Sequence, residues 1–144
     1  MAITASGLYG LTLEKFFNNG AALNLEAEDN KVAMVTDSHT PDFDTHDFYA
    51  DLTNEVSGTG YTAGGAALTS TEVTLSGGVL KYDAADVAWT TSTITNAMAG
   101  VGYADAVTDE LIFLSDFVTA ASTTAGTFTI VWSASGIFTL DYTP

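Results

Sequence analysis

Hydrophobic and polar positions alternate along most of this chain, and the alternation predicts a mainly β protein. The C-terminal stretch shows it most plainly. Phe128, Ile130 and Trp132 fall on one side of a strand, and Thr127, Thr129 and Val131 on the other. Ser133 to Gly136 supplies a turn, and Phe138, Leu140 and Tyr142 repeat the pattern, so the pair reads as a hairpin. A period of two fixes its register, because a slip by one residue would expose three large side chains.

Val32 to Thr36 is almost continuously apolar and reads as a strand buried on both faces. Thr71 to Leu75 and Val79 to Asp83 read as strands around a Gly77-Gly78 turn, and Val87 to Thr91 and Leu111 to Phe117 as two more. Thr93 to Tyr103 is a longer strand candidate whose small residues also suit a helix. Two short helices are expected. In Leu11 to Asn19, Thr12 caps the start, Leu13, Phe16 and Phe17 form a side packed on a sheet edge, and Gly20 suits the end. In His46 to Leu52, Asp44 or Thr45 caps, Asp47 suits the helix dipole, and Phe48 and Leu52 face the core together. The fold expected is mainly β: a β-sandwich or distorted barrel with two short helices, in one domain spanning residues 1–144.

Charge narrows the functions open to such a domain. Three lysines and no arginine stand against 18 acids, a net charge of −15. That surface repels phosphates, so neither nucleic acid nor an anionic membrane is an expected partner. The 47% of hydrophobic residues separates this acidity from that of a disordered chain. Without cysteine there is neither a disulfide nor a thiolate metal site. The first residues lack the basic segment and apolar core of a signal peptide, and no apolar run reaches the ~18 residues of a membrane span.

Candidate chemistry concentrates between Lys31 and Gly65, where both histidines lie. Nine of the 18 acids fall between Glu26 and Glu55. Asp37, His39, Asp42, Asp44, His46 and Asp47 offer oxygen and imidazole donors, so a metal-dependent binding module is one reading. The spacing fits no standard loop. Counted from Asp42, an EF-hand needs an oxygen ligand where His46 stands, glycine at Asp47 and glutamate at Thr53. His39 and His46 are also too far apart for the helical zinc pattern. For hydrolysis, no G-x-S-x-G holds a nucleophile, and acid pairs in so acidic a chain carry no specificity for glycoside chemistry. The glycines around Tyr61 bring no lysine and lead into strand-like sequence, which excludes a phosphate loop. They instead allow positive φ angles that turn Tyr61 into or across the domain. Trp89, Trp132 and most other aromatics fall at core positions, whereas Tyr9, Tyr49 and Tyr103 are expected at an interface. No catalytic residue, cofactor or metal is assigned.

The segment VAMVTDSHTPDFDTHDFYADLTNEVSGTGYTAGGA resembles one found in small structural proteins of tailed bacteriophages. There a V-x-L-V-T-x-S strand leads into T-P-x-x-D-x-H, a short helix and a T-N-E-V-x-G-x-G-Y-x-x-G-G loop. This chain matches at Val35, Thr36, Ser38, Thr40, Pro41, Asp44, His46, Thr53, Asn54, Glu55, Val56, Gly58, Gly60, Tyr61, Gly64 and Gly65, and departs at Met34. The similarity continues more loosely through DAADVAW to the C-terminal G-x-F-T-I-x-W and G-I-F-T-L stretches. The resemblance implies a non-enzymatic virion component, assembled in the host bacterial cytoplasm, that decorates or cements the head shell. It implies the major capsid protein as partner and a homo-oligomer, with a tail or head–tail position as the alternative. Asp44, His46, Asn54, Glu55 and Tyr61 then become residues that fix a loop or touch a neighbouring subunit. Thr-rich outer strand faces suit packing against copies of the same chain.

Overall fold

The structure, a computed structural model, describes residues 3–143; Met1, Ala2 and Pro144, the ends of the expected domain, lie outside the described residues. The strands are β1 (Gly7–Leu8), β2 (Asn30–Thr36), β3 (Ala66–Ala67), β4 (Glu72–Ser76), β5 (Val79–Asp83), β6 (Val87–Ala104), β7 (Glu110–Ile130) and β8 (Phe138–Asp141). One α-helix, α1 (Gly10–Asn18), follows β1. Two antiparallel sheets result, one ordered β1-β7-β6-β2-β3 and the other β4-β5-β8. The mainly β expectation holds, with one α-helix among the described residues in place of two.

β2 organises the interior. Val32 to Val35 are all fully buried, as their continuous apolar run implies. The alternation of a strand sends them to two different cores. Val32 and Met34 join Tyr82, Phe113, Phe128 and Ile130. Ala33 and Val35 join Ile3, Tyr9, Val101, Leu111 and Leu114. The first core lies between the sheets, where Phe113 of β7 meets Tyr82 at 6.4 Å and Phe138 at 6.3 Å. Each such large side chain stabilises the fold by roughly 1.5–3 kcal/mol.

Thr93 to Tyr103 is strand, not helix, because both of its edges are used: residues 97–104 pair with β2 on one side and β7 on the other. Its small residues make room for large neighbours. Gly102 lies opposite Phe113 in the ladder, and a Cβ there would come within 2.0 Å of the Phe113 ring. Further along, the β6–β7 ladder slips register several times between Trp89 and Ala99. Hydroxyls fill those gaps. Ser122 Oγ accepts from Asn96 N at 2.9 Å, and Thr93 Oγ1 from Ala125 N at 3.0 Å.

The expected C-terminal hairpin does not form. Phe128 and Ile130 pair with Trp89 and Val87 of β6. The turn itself is present, with Gly136 N bonded to Ser133 O at 2.8 Å. It carries the chain across to the other sheet, where β8 pairs with β5. Trp132 anchors the crossing: its ring meets Phe113 at 5.9 Å and its Nε1 donates to Ala85 O at 3.1 Å. Alternation tells which side chains face inward, not which strand lies alongside.

Helix α1 also departs from expectation. Thr12 is buried inside the first turn and caps nothing; Tyr9 holds the N-cap position without a side-chain bond. Asn19, in the left-handed region at φ 59°, ends the helix. Phe16 and Phe17 are 51% and 80% exposed, so neither packs on a sheet edge.

Candidate functional site

The Asp37–Gly65 segment leaves β2 and returns to pair with it. Thr36 N donates to Asn54 O and Val56 N to Met34 O, each at 2.9 Å. In the acidic part, Asp42 is the organiser. Its Oδ1 accepts from Asp44 N at 3.0 Å and Thr45 N at 3.1 Å, an Asx turn. Hydrogen bonds from Thr45 and the Asp44 amide hold the Asp42 carboxyl below the usual carboxylate range. Asp44 itself is exposed. His46 N donates to Asp42 O at 3.0 Å.

The helix expected over His46 to Leu52 is replaced by a single 3-10 turn at Tyr49–Asp51. The cause is competition from β7. Phe48 bridges to Glu110, Tyr49 N donates to Asp109 O and Leu111 N to Asp47 O, both at 2.8 Å. Asp51, not Asp44 or Thr45, then caps the turn, accepting from Asp47 N at 2.8 Å and Phe48 N at 2.9 Å. Those two amides keep the Asp51 pKa low. Phe48, pulled into extended backbone, is 36% exposed and covers no core. Its ring lies under Lys15 Nζ, 4.2 Å from the centroid. Lys15 Nζ in turn meets Asp47 at 2.6 Å and buried Glu110 at 3.9 Å.

Glu55 is the centre of the glycine-rich part. Its Oε2 accepts from Tyr49 Oη at 2.5 Å, and its Oε1 from Tyr61 Oη at 2.6 Å and Gly64 N at 2.8 Å. Tyr61 Oη also accepts from Met34 N of β2 at 2.9 Å. Tyr103 Oη donates to Gly64 O at 2.7 Å, and its ring stacks on Tyr49 at 4.8 Å. Burial, reinforced by the bond to Glu55, pushes the Tyr49 pKa up to about 12, and raises that of Tyr61 as well. Gly65 lets the loop close: its φ is +73°, and a Cβ would fall 1.8 Å from Val32 O. Asn54 occupies the left-handed region at φ 57°, and its Nδ2 donates to Ser38 O at 2.9 Å.

Tyr61 therefore turns inward, as the glycines imply. Tyr9 and Tyr103 do not lie at an open surface: they are 0% and 2% exposed, and Tyr9 packs on Phe43 at 5.2 Å. Tyr49 is half-buried against Tyr103. Of the two histidines, His39 is fully buried. Its Nδ1 accepts from Thr53 N at 3.3 Å, and its Nε2 has no partner. Its ring centroid lies 5.8 Å from that of His46, and burial first, then His46, lowers its pKa.

Among the described residues no three His, Asp or Glu side chains converge on a point that would hold a metal. The sequence signalled Asp44, His46, Asn54, Glu55 and Tyr61 but not how they are joined. Glu55 and Tyr61 enter one network with Tyr49, Tyr103 and Gly64, Asn54 ties the loop separately to Ser38 and Thr36, and Asp44 and His46 sit in the Asp42 turn. Asp42 and Asp51, the two carboxylates that shape the acidic part, look in sequence like any other acid of the loop. No family model matches the chain, and comparisons with curated proteins and with solved structures return no match.

Proposed function

We propose that this chain is a structural protein of a tailed bacteriophage particle: a decoration or cement protein that binds the outer surface of the head shell, with the major capsid protein as partner and no reaction of its own. The reading starts from the resemblance carried by Val35 to Gly65. One observation supports it above others: Glu55, the centre of the matched segment, spends both carboxylate oxygens on Tyr49, Tyr61 and Gly64. Within the segment Glu55, Tyr61 and Gly64 thus bind one another, and their contacts hold the loop in shape. Asn54, Glu55 and Tyr61 act as loop-fixing residues, while Asp44 is exposed and His46 half-buried beside His39 in the Asp42 turn.

Charge supports the same reading. Between Asp86 and Asp105, and again between Asp116 and Asp141, there is no charged residue, so the β6–β7 ribbon presents threonine, serine and alanine. On a shell, such a neutral face lets like-charged neighbouring copies lie close. The remaining acidic surface faces outward, away from the enclosed DNA.

Mass spectrometry of purified virions tests the proposal. The chain should be present in stoichiometric amounts relative to the shell subunit and survive a high-salt wash. Its absence from virions would overturn the reading.

A further inference from the structure

One face of the small sheet is apolar throughout. Val73, Tyr82 and Phe138 form one cross-strand row, and Leu75, Leu80 and Leu140 the next. The first row joins the core between the sheets. The second runs past it, and of its members Leu80 and Leu140, the latter 37% exposed, face the helix side, while Leu75 lies beyond the groove. Opposite stand Phe16 and Phe17 of α1, the most outward aromatics of the helix. Between them opens a groove of about 560 Å³, walled by Leu13, Leu23, Leu25 and Ile112 as well. It is within the ~300–1,000 Å³ range of ligand sites, and contiguous exposed apolar surface of this kind marks a contact site.

The charge around the groove identifies the guest. Glu26 stands in its wall, held there by the Val73 amide, which donates to its Oε1 at 3.0 Å. No lysine lines it; Lys15 on α1 is turned to Asp47, and Lys31 and Lys81 are paired with Asp105 and Asp83. Among the described residues, every side-chain charge left uncompensated is therefore negative. A second copy would bring acid against acid at this rim. We infer that the groove is the docking site for a segment of another protein with apolar anchors flanked by lysine or arginine. The inference is independent of where the chain resides, so it stands or falls separately from the virion reading.

Calorimetric titration with two synthetic peptides tests it: one with two leucines and a phenylalanine flanked by lysines, and one with glutamates in place of the lysines. The lysine peptide should bind, and about tenfold or more tighter than its counterpart. Phe17→Ser and Leu140→Ser should each weaken it by about tenfold, as for central apolar anchors. Val118→Ser, at a 78% exposed valine outside the groove, should bind as the wild type does. Absence of binding, equal affinity for both peptides, or full affinity in Phe17→Ser would overturn the inference. So would a wild-type dimer that Phe17→Ser makes monomeric, which assigns the groove to a second copy. Circular dichroism melts of each variant confirm that the fold is intact.

Discussion

Tyr61 donates a 2.6 Å hydrogen bond to Glu55 from a ring that is 9% exposed. The same hydroxyl accepts the Met34 amide, so one phenol closes a circuit from β2 to the loop and back. Removing it leaves Met34 N without an acceptor and Glu55 Oε1 with one donor fewer. Tyr61→Phe should cost about 1–3 kcal/mol, the range for a buried group left unsatisfied. Glu55→Ala should cost more, since it frees two phenols and an amide together. The double variant should fall short of the sum by about 1 kcal/mol or more, because both residues belong to one network. Urea denaturation of the four proteins measures this; strict additivity would break the circuit as described.

Gly65 is fixed by backbone geometry. Gly65→Ala adds a Cβ 1.8 Å from Val32 O at a positive φ, and should destabilise by ~3 kcal/mol, combining left-handed strain with a displaced strand. Gly77 has a comparable φ of +57° but open space beside it. Gly77→Ala should therefore lose only the ~1–2 kcal/mol of left-handed strain. Thermal melts separate the two, and equal losses would mean that the Val32 contact is not limiting.

His39 carries a pH dependence of defined sign. Burial holds its native pKa below 6.5, so the native state binds fewer protons than the unfolded chain in the window just under that value. Its contribution is fully present above pH 6.5 and declines as pH falls toward the native pKa. His39→Asn keeps an acceptor for Thr53 N without a titrating group. The stability advantage of the wild type over His39→Asn should shrink from pH 7.5 to pH 5. Asp42 and Asp51 titrate below that range, so they do not obscure it. A constant difference across the range would contradict the burial of a neutral His39.

The alternation of side chains makes β2, β4, β5 and the inward faces of Phe128 and Ile130 legible in the sequence. Pairing is not legible in the same way. Phe138 and Leu140 have the right period for a hairpin with β7, yet pair with β5 because Trp132 carries the chain across the interior. Ala97 and Ala99 suit a helix by propensity, but Gly100 and Gly102 do not; in the ladder the glycines leave space for Phe113, Ile130 and Val32. The helix over His46 to Leu52 loses to β7, a competitor distant in sequence that local patterns do not register. In the site, Glu55 and Tyr61 are visible as motif residues. The bond from Tyr49 to Glu55 and the packing of Tyr103 on Tyr49 are not, since no periodicity links residues that meet across a loop.

Electron cryomicroscopy of the intact particle tests the central claim most directly. The account predicts density matching this two-sheet fold on the outside of the head, repeating with the icosahedral lattice and contacting the major capsid protein. Density confined to rings about the tail axis, or none on the head surface, would contradict it.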